Sequence, residues 1–258
     1  MKITKLEKKK RLYLLETDTG LATYITEDTI VRFFLSKEKD ISEEQWTEIQ
    51  TFAQLSYGKN LALYHLSFKQ RTKKEVYDYL HDHAIEKHFI SQILKELEDD
   101  NWINDRHYVQ NILDQNKLSG EKGPLVLQQK LLNKGIDNHT ISSLLPQYNF
   151  SEIAERVAQK LLKKYQNKLP NRALQDKLIQ NLLSKGFNYQ QAKESVATLH
   201  IESDYELEEN LIYKEIDKHF RKYAKKYEGY VLKQKLTQAL ARKGFDYDLI
   251  QSAISDHM

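Results

Sequence analysis

Apolar side chains recur at helical spacing through most of the chain after residue 55. In the stretch that follows Ser151 they lie four residues apart, at Ile153, Val157, Leu161 and Tyr165. This spacing places them on one face of an α-helix and leaves the charged residues on the other face. The pattern therefore predicts a mainly α-helical protein.

The helical stretches are separated by a short phrase that occurs three times. It reads LLNKGID at residues 131–137, LLSKGFN at 182–188 and LARKGFD at 240–246. The glycines lie 51 and then 58 residues apart, and a degenerate copy, LHDHAI at 80–85, places Ala84 another 51 residues before the first glycine. Periodicity of this kind is typical of an array of similar units.

Each position of the phrase has a physical role. Glycine after a helical run adopts the left-handed conformation that ends a helix, and the lysine before it favours the negative end of that helix. The apolar residue after glycine makes the hydrophobic contact of a Schellman motif, and the Asp or Asn that follows caps another helix. The phrase therefore predicts a helix, a tight turn and a helix, used four times.

A further helix precedes each of the three glycine-containing phrases. Its predicted N-caps are Asn104-Asp105, Ser151 and, for a long last helix that extends to about Tyr227, Ser203 or Asp204. Each unit then has three helices. We expect helical repeats at 56–102, 103–148, 149–202 and 203–258 that form an elongated curved array.

Residues 1–55 follow a different pattern. Alternation at 11–16 and 21–25 around an Asp-Thr-Gly turn predicts a β-hairpin, and residues 2–6 can add a strand. Thr26 is placed to cap a short helix, although a strand fits nearly as well. Ser42 and Gln45 form a capping box that opens another helix. We expect a small segment containing a β-hairpin and a helix ahead of the repeats.

Three stretches resemble the RecX-type regulators of the RecA recombinase. They are LSFKQRTKKE at 66–75, NWINDRHY at 101–108, and GEKGP at 120–124 followed by Leu131 and KGI at 134–136. The last two are the more specific, and the resemblance covers about residues 56–258 with a matching lead-in. The chain departs from the family pattern at Ala84, where a glycine is usual, and at Thr72, where a serine is usual. Thr72 still forms a capping box with Glu75.

The resemblance implies a regulator that binds the RecA–single-stranded DNA filament and modulates, usually by lowering, its ATPase and strand-exchange activity in homologous recombination, DNA repair and the SOS response. It implies a RecA partner, weak binding of single-stranded DNA alone, and a monomer. The sign of the effect on RecA stays open. The alternative is a helical-repeat protein that binds DNA on its own, because tight helix–turn–helix units suit a major groove.

The charge is unevenly distributed, although the net charge is only +3. Residues 151–200 carry nine Lys or Arg against four acids, and two predicted helices place basic residues opposite an apolar face. Repeated basic faces favour a polyanionic or acidic partner, although a solvated surface is the better explanation of a single stripe. The candidate contacts to filament or DNA are Lys122, Lys130, Lys134, Arg156, Lys160, Lys163, Lys164, Lys218, Arg221, Lys222, Lys225, Lys226, Arg242 and Lys243.

Motifs for chemistry are missing from the sequence. It has no cysteine, no phosphate-binding glycine loop, and neither a GxSxG nor an HExxH motif. His81, His83 and His88 are close in sequence, but a His-x-His pair cannot share one helix face. We expect no catalytic residue, no cofactor and no metal. Trp102 and most tyrosines are expected to lie in the core.

Cellular location follows from similar observations. No cysteine suits a reducing compartment, and the first residues lack the apolar core of a signal peptide. No stretch approaches the ~18 apolar residues that a membrane span requires. We expect a cytoplasmic protein that does not associate with membranes.

Overall fold

The computed structural model describes residues 1–202 and 204–258. Within them the chain forms a three-stranded sheet, a short 3-10 turn at Leu145–Gln147 and thirteen α-helices. The strands are β1 (Ile3–Lys9), β2 (Leu12–Thr17) and β3 (Ala22–Ile25). The helices are α1 (Glu27–Phe33), α2 (Glu43–Ser67), α3 (Lys73–Asp82), α4 (Lys87–Asp99), α5 (Asp105–Ser119), α6 (Pro124–Asn133), α7 (Asn138–Leu144), α8 (Phe150–Tyr165), α9 (Asn171–Ser184), α10 (Tyr189–Ala197), α11 (Tyr205–Tyr223), α12 (Gly229–Arg242) and α13 (Tyr247–His257). The predicted mainly α fold with a small β-hairpin segment is confirmed.

The N-terminal head, residues 1–55, combines the sheet with α1 and the start of α2. The strands pair antiparallel in the order β1-β2-β3, so the predicted hairpin and the additional strand are both present. Thr26 caps α1, and Ser42 forms the predicted capping box with Gln45 at the start of α2. The head core is apolar and is built from Ile3, Leu15, Ile25, Leu35, Ile41, Trp46, Ile49 and Ala53.

After the head, helices follow one another in threes: α2–α4, α5–α7, α8–α10 and α11–α13. We call these the first to fourth trio. The repeat boundaries at 56, 103, 149 and 203 stay predictions, and residue 56 falls inside the continuous helix α2. By backbone proximity the chain divides into two compact parts, Met1–Ile112 with Leu131–Ser142, and Leu113–Lys130 with Ser143–Met258.

The turn phrase forms a Schellman motif at all four copies. In the second glycine-containing copy the Phe187 amide donates to the Leu182 carbonyl (3.2 Å) and the Gly186 amide to the Leu183 carbonyl (2.9 Å). The equivalent bonds are present at the other three turns. Gly135, Gly186 and Gly244 have φ values of 81°, 91° and 87°, and Ala84 has 59°. The apolar residues after them, Ile85, Ile136, Phe187 and Phe245, are buried.

The middle helix of one trio begins on the turn of the next trio. The Thr72 hydroxyl, which caps α3, donates to the Lys134 carbonyl (2.8 Å). The Gly123 amide, just before α6, donates to the Lys185 carbonyl (2.8 Å). A Cβ atom at Gly123 would overlap the backbone of Gly186. These contacts tie a helix N-terminus to the carbonyls that a helix C-terminus leaves unpaired.

The same packing explains where glycine is needed in the turns. A Cβ atom on Gly186 would lie 2.6 Å from Val126, and one on Gly244 would lie 2.8 Å from the Cβ atom of Ala173. Both neighbours belong to the middle helix of the preceding trio. Ala84 occupies the matching position in the first trio, which has no preceding trio, and it is exposed. Glycine at the later turns therefore allows close approach as well as a positive φ.

Three expectations from the sequence require correction. The third-trio helix α8 begins at Phe150 with Asn149 as its N-cap, so Ser151 already lies inside the helix. The helix α11 ends at Tyr223, four residues before the predicted end, and Lys225 and Lys226 lie in the turn after it. Asp204 caps α11, and its alternative, Ser203, lies outside the described residues.

The third correction concerns Trp102, which is 56% exposed and does not belong to the core. Asn101 before it adopts a left-handed conformation (φ 59°) that ends α4. The amides of Trp102 and Ile103 both donate to the Leu97 carbonyl, and Ile103, not Trp102, is buried. The turn therefore has a single inward position, and the smaller residue occupies it. Tyr189, Tyr205, Tyr230 and Tyr247 are exposed too.

Candidate functional site

The candidate residues are basic side chains on α8, on α11 and just after it, on α6 and just before it, and in the turns that precede α7 and α13. All of those expected on α8 and α11, with Lys122, Arg242 and Lys243, are exposed or partly exposed. Lys130 and Lys134 are half-buried. Exposure alone does not make a residue available to a partner, because several of these side chains already bind groups of the chain.

Arg156 binds the end of α5. Its guanidinium donates to the carbonyls of Lys117 (2.9 Å), Gly120 (2.9 Å) and Asn116 (3.3 Å). These carbonyls lie in the last turn of α5 and just after it, where helix ends leave carbonyls without helical partners; the Asn116 carbonyl also accepts from the Gly120 amide (3.0 Å). Five donors in a rigid plane allow arginine to satisfy several carbonyls at once. Arg156 therefore acts as a helix cap, a role that charge patterning in the sequence did not reveal.

Glu121 binds two of the basic side chains that surround it. Its carboxylate pairs with Lys160 of α8 and with Lys185 of the turn motif (2.5 Å). Hydrogen bonds from Lys160 and Lys185 lower the pKa of the Glu121 carboxyl to about 2. This ion-pair cluster joins the segment before α6 to the third trio, so Lys160 has a structural partner.

Glu75 forms a similar ion pair with Lys134, where α3 begins on the turn after α6. The Lys134 ammonium lies 2.6 Å from the Glu75 carboxylate, which also closes the capping box with Thr72. Burial opposes ionisation of Glu75, but the hydrogen bonds from Lys134 and Thr72 outweigh it and lower the pKa of the carboxyl. Lys243, at the last turn, lies 3.5 Å from Glu215. The lysine of the turn phrase therefore has an acidic partner at each of the three glycine-containing turns.

Of the other candidates, Lys218 pairs with Glu215 (3.9 Å) and the Arg242 guanidinium donates to the Gln238 carbonyl (3.2 Å). Four more form two matched pairs. Lys163 and Lys164 end α8, and Arg221 and Lys222 end α11 at an offset of 58 residues. None of these four forms an ion pair with another described residue. Lys225 and Lys226 extend the second pair into the turn after α11. We call Lys163, Lys164, Arg221, Lys222, Lys225 and Lys226 the basic ends.

Aromatic rings accompany the basic ends. Lys164 and Lys177 lie over Tyr165 at 5.2 and 6.0 Å from the ring centroid. Lys222 lies 5.6 Å from the centroid of Tyr223. Lys177 was not predicted as a contact, although its counterpart 58 residues later, Lys235, also lies over a ring, that of Tyr227 (5.9 Å). The repeat offset was the signal in the sequence that could have identified this pair.

Membrane-spanning helices and metal clusters are absent from the part of the chain that the structure describes. In residues 1–202 and 204–258 no helix is both long and apolar enough to cross a bilayer. The same residues contain no group of three or more His, Asp or Glu side chains arranged to hold a metal ion.

Tyr223 and Tyr227 pack against the core of the fourth trio, as the sequence predicted.

Comparisons with protein-family models and with curated proteins both find similarity to the same family. Residues 150–195 and 207–254 each match the family model described as "RecX, third three-helix domain". The chain is 60% identical over 258 residues to "Regulatory protein RecX" of Streptococcus pneumoniae serotype 19F (strain G54), and 59% identical to the protein of that name from Streptococcus sanguinis (strain SK36). Both alignments cover 100% of each chain.

Two solved structures are similar as well. A crystal structure of regulatory protein RecX has a TM-score of 0.61 and 29% identity, and the match covers 76% of this chain and 98% of the other. The crystal structure of RecX from Lactobacillus salivarius has a TM-score of 0.54 and 34% identity, with 57% and 96% covered.

Proposed function

Because this chain belongs to the RecX family of regulatory proteins, we propose that it binds the filament that RecA forms on single-stranded DNA and lowers its ATPase and strand-exchange activity. The observation that carries this proposal is 60% identity over the full length to proteins named Regulatory protein RecX. In this role the protein acts in the cytoplasm, as a monomer and without catalysis of its own, in the control of homologous recombination and DNA repair.

The basic ends are the proposed contacts to the DNA phosphates of the filament. All six are exposed and lie outside the ion pairs that hold the fold together, and four of them recur at a fixed offset in two trios. The positive charge of lysine and arginine is retained at all physiological pH values, and phosphate contacts of this kind position a protein on nucleic acid without reading its sequence. The primary role of Arg156, Lys134 and Lys160 is structural, because each of them binds groups of the chain itself.

The first test is the ATPase activity of RecA on single-stranded DNA, titrated with this protein well below the RecA concentration. Inhibition at substoichiometric ratios is the expected result, since one bound regulator affects many subunits of a filament. No effect at an equimolar ratio, combined with a mobility shift of duplex DNA, would favour the stand-alone DNA-binding protein.

A charge-reversal variant tests the assigned surface. Arg221→Glu combined with Lys222→Glu should weaken filament binding at least ~10-fold, because repulsion replaces attraction to the phosphates at both positions. The thermal unfolding midpoint should fall only slightly, because neither side chain forms an ion pair with another described residue and each favourable charge lost at the end of α11 contributes only about 0.3–1 kcal/mol. Binding is measured by fluorescence anisotropy of labelled protein on preformed filaments.

The matched control is Lys87→Glu combined with Lys95→Glu on α4. It makes the same change in net charge at two exposed positions on one helix, in the first trio instead of the third or fourth. This control should bind the filament like the wild type. Equal weakening in both double variants would mean that net charge, not the basic ends, determines binding.

A further inference from the structure

Three residues of the head other than glycine have a positive φ, namely Lys10, Phe34 and Glu38, and Phe34 is the only aromatic one among them. Phe34, the first residue after α1, has φ 47° and ψ 48°, which is the left-handed helical region. That region is favourable for glycine and tolerable for asparagine, but it is unfavourable for a bulky residue. The turns of the repeated phrase place Gly135, Gly186 or Gly244 at the same position.

The strained conformation is held firmly by its surroundings. The Leu35 amide donates to the Ile30 carbonyl (3.0 Å) and Leu35 is buried in the head core, which makes this turn another Schellman motif. The Lys39 ammonium donates to the carbonyls of Phe33 (2.6 Å) and Phe34 (3.1 Å). The hydrogen bonds made by the Leu35 amide and by the Lys39 ammonium therefore both hold the turn in this conformation.

The ring of Phe34 contributes little to the core that holds it. It is 82% exposed, the highest value among the exposed large apolar side chains of the described residues. Val31, three residues earlier on α1, is 66% exposed. We call these two side chains the head patch. A bulky apolar residue that is both strained and exposed to solvent contributes little to the stability of the fold. Backbone outliers of this kind concentrate at functional sites.

The charge around the head patch indicates the kind of partner. Residues 27–48 carry seven acids and three bases, and one of the bases, Lys39, is engaged by the two carbonyls at the turn. A groove of about 690 Å³ between α1 and α2, next to the head patch in sequence, is lined by Glu44, Glu48 and Arg32 together with Phe33 and Phe52. Negative charge repels the phosphates of nucleic acid, so the complementary surface is a protein with basic residues around an apolar pocket.

We propose that the head patch docks into an apolar pocket with a basic rim on a protein partner. This inference rests on the proposed function, within which the partner is a recombinase subunit of the filament rather than its DNA. A rigidly presented aromatic ring suits such an anchor, because little conformational freedom is lost when it enters a pocket.

The test uses Phe34→Gly and Phe34→Asn in the full chain. Both residues accept a left-handed backbone, and both remove the apolar ring. Binding to RecA filaments on single-stranded DNA should fall ~10-fold or more. The unfolding midpoint should be unchanged or higher, because strain is relieved and little buried surface is removed. Weaker binding without a decrease in stability is the signature of a docking residue.

Ala84→Gly is the matched control. It relieves the same backbone conformation at the same position of another Schellman turn, so it should raise or keep the unfolding midpoint and leave filament binding unchanged. Binding to an oligothymidine without RecA should be equal in all variants. Unchanged filament binding by both Phe34 variants would overturn the proposal, and weaker oligothymidine binding would reassign the patch to DNA. A wild-type protein that does not bind filaments would overturn the proposed function itself.

Discussion

At the scale of single residues, glycine occupies positions of positive φ for different reasons. Gly186 combines a positive φ with close approach to Val126, so both the conformation and the space exclude a side chain. Gly20, in the hairpin turn, has φ 82° but nothing within 4 Å of its missing Cβ atom. The sequence predicted the conformation at Gly186. The lack of space for a side chain at Gly186 depends on the neighbouring trio and follows only from the structure.

Gly186→Ala should therefore cost far more than Gly20→Ala. Backbone strain alone costs about 1–2 kcal/mol, and forcing apart a well-packed contact adds roughly 1–3 kcal/mol. We expect a decrease of about 3 kcal/mol in the unfolding free energy for Gly186→Ala and about 1 kcal/mol for Gly20→Ala. Urea denaturation monitored by circular dichroism measures both. Equal decreases would show that the trio contact leaves room for a methyl group.

At the scale of elements, the trios are joined by a repeated contact in which a helix begins on the turn of the trio that follows. Thr72 and Gly123 make this contact through hydrogen bonds to the Lys134 and Lys185 carbonyls. Acidic side chains reinforce the first two contacts, through Glu75–Lys134 and through the cluster around Glu121. The turn phrase is thus both the end of one helix and the platform for another.

Glu121→Gln tests this joint through its pH dependence. The folded-state pKa of about 2 lies below the ordinary value of 4.5, so the carboxylate stabilises the fold above pH ~4.5 and loses this contribution as the pH falls towards 2. The variant should be less stable than the wild type at pH 7, by about 1 kcal/mol because the group is partly exposed. The difference should disappear near pH 2. A constant difference across this range would contradict the assigned ion pairs.

At the scale of the whole molecule, the chain carries opposite charges in different regions. Residues 27–48 have four more acids than bases, whereas residues 151–200 have five more bases than acids. A protein with a net charge of only +3 can therefore present one region to basic protein surface and another to phosphate. The net charge alone reveals neither the acidic region nor the basic region.

Salt dependence separates the two surfaces. Each contact to a single-strand phosphate adds about 0.7 to the slope of log K against log salt concentration, so replacing both Lys163 and Lys164 by alanine should reduce that slope by about 1.4. Phe34→Gly should weaken binding and leave the slope unchanged, because an apolar contact releases no counterions. Filament binding at salt concentrations from about 50 to about 200 mM provides the measurement. Equal slopes in all three proteins would remove the basic end of α8 from the interface.

The sequence by itself determined the local structure of this protein and its family. The helices, the four turns, the capping boxes at Ser42 and Thr72, and the resemblance to RecX-type regulators are confirmed. These features depend on residues near one another in the chain, such as a glycine after a helical run. The head hairpin was predicted for the same reason, because alternation and a turn lie within about 15 residues.

Only the tertiary structure decided how the candidate side chains are used. Arg156 and Lys160 share a helix face with Lys163 and Lys164, yet the first two bind groups about 40 residues away in sequence. Trp102 is exposed although the sequence predicts a core position, and no local pattern indicates the exposure of Phe34, because exposure depends on which elements pack around a residue. Local pattern specifies backbone conformation, whereas partners and exposure depend on distant elements that the periodicity of one segment does not encode.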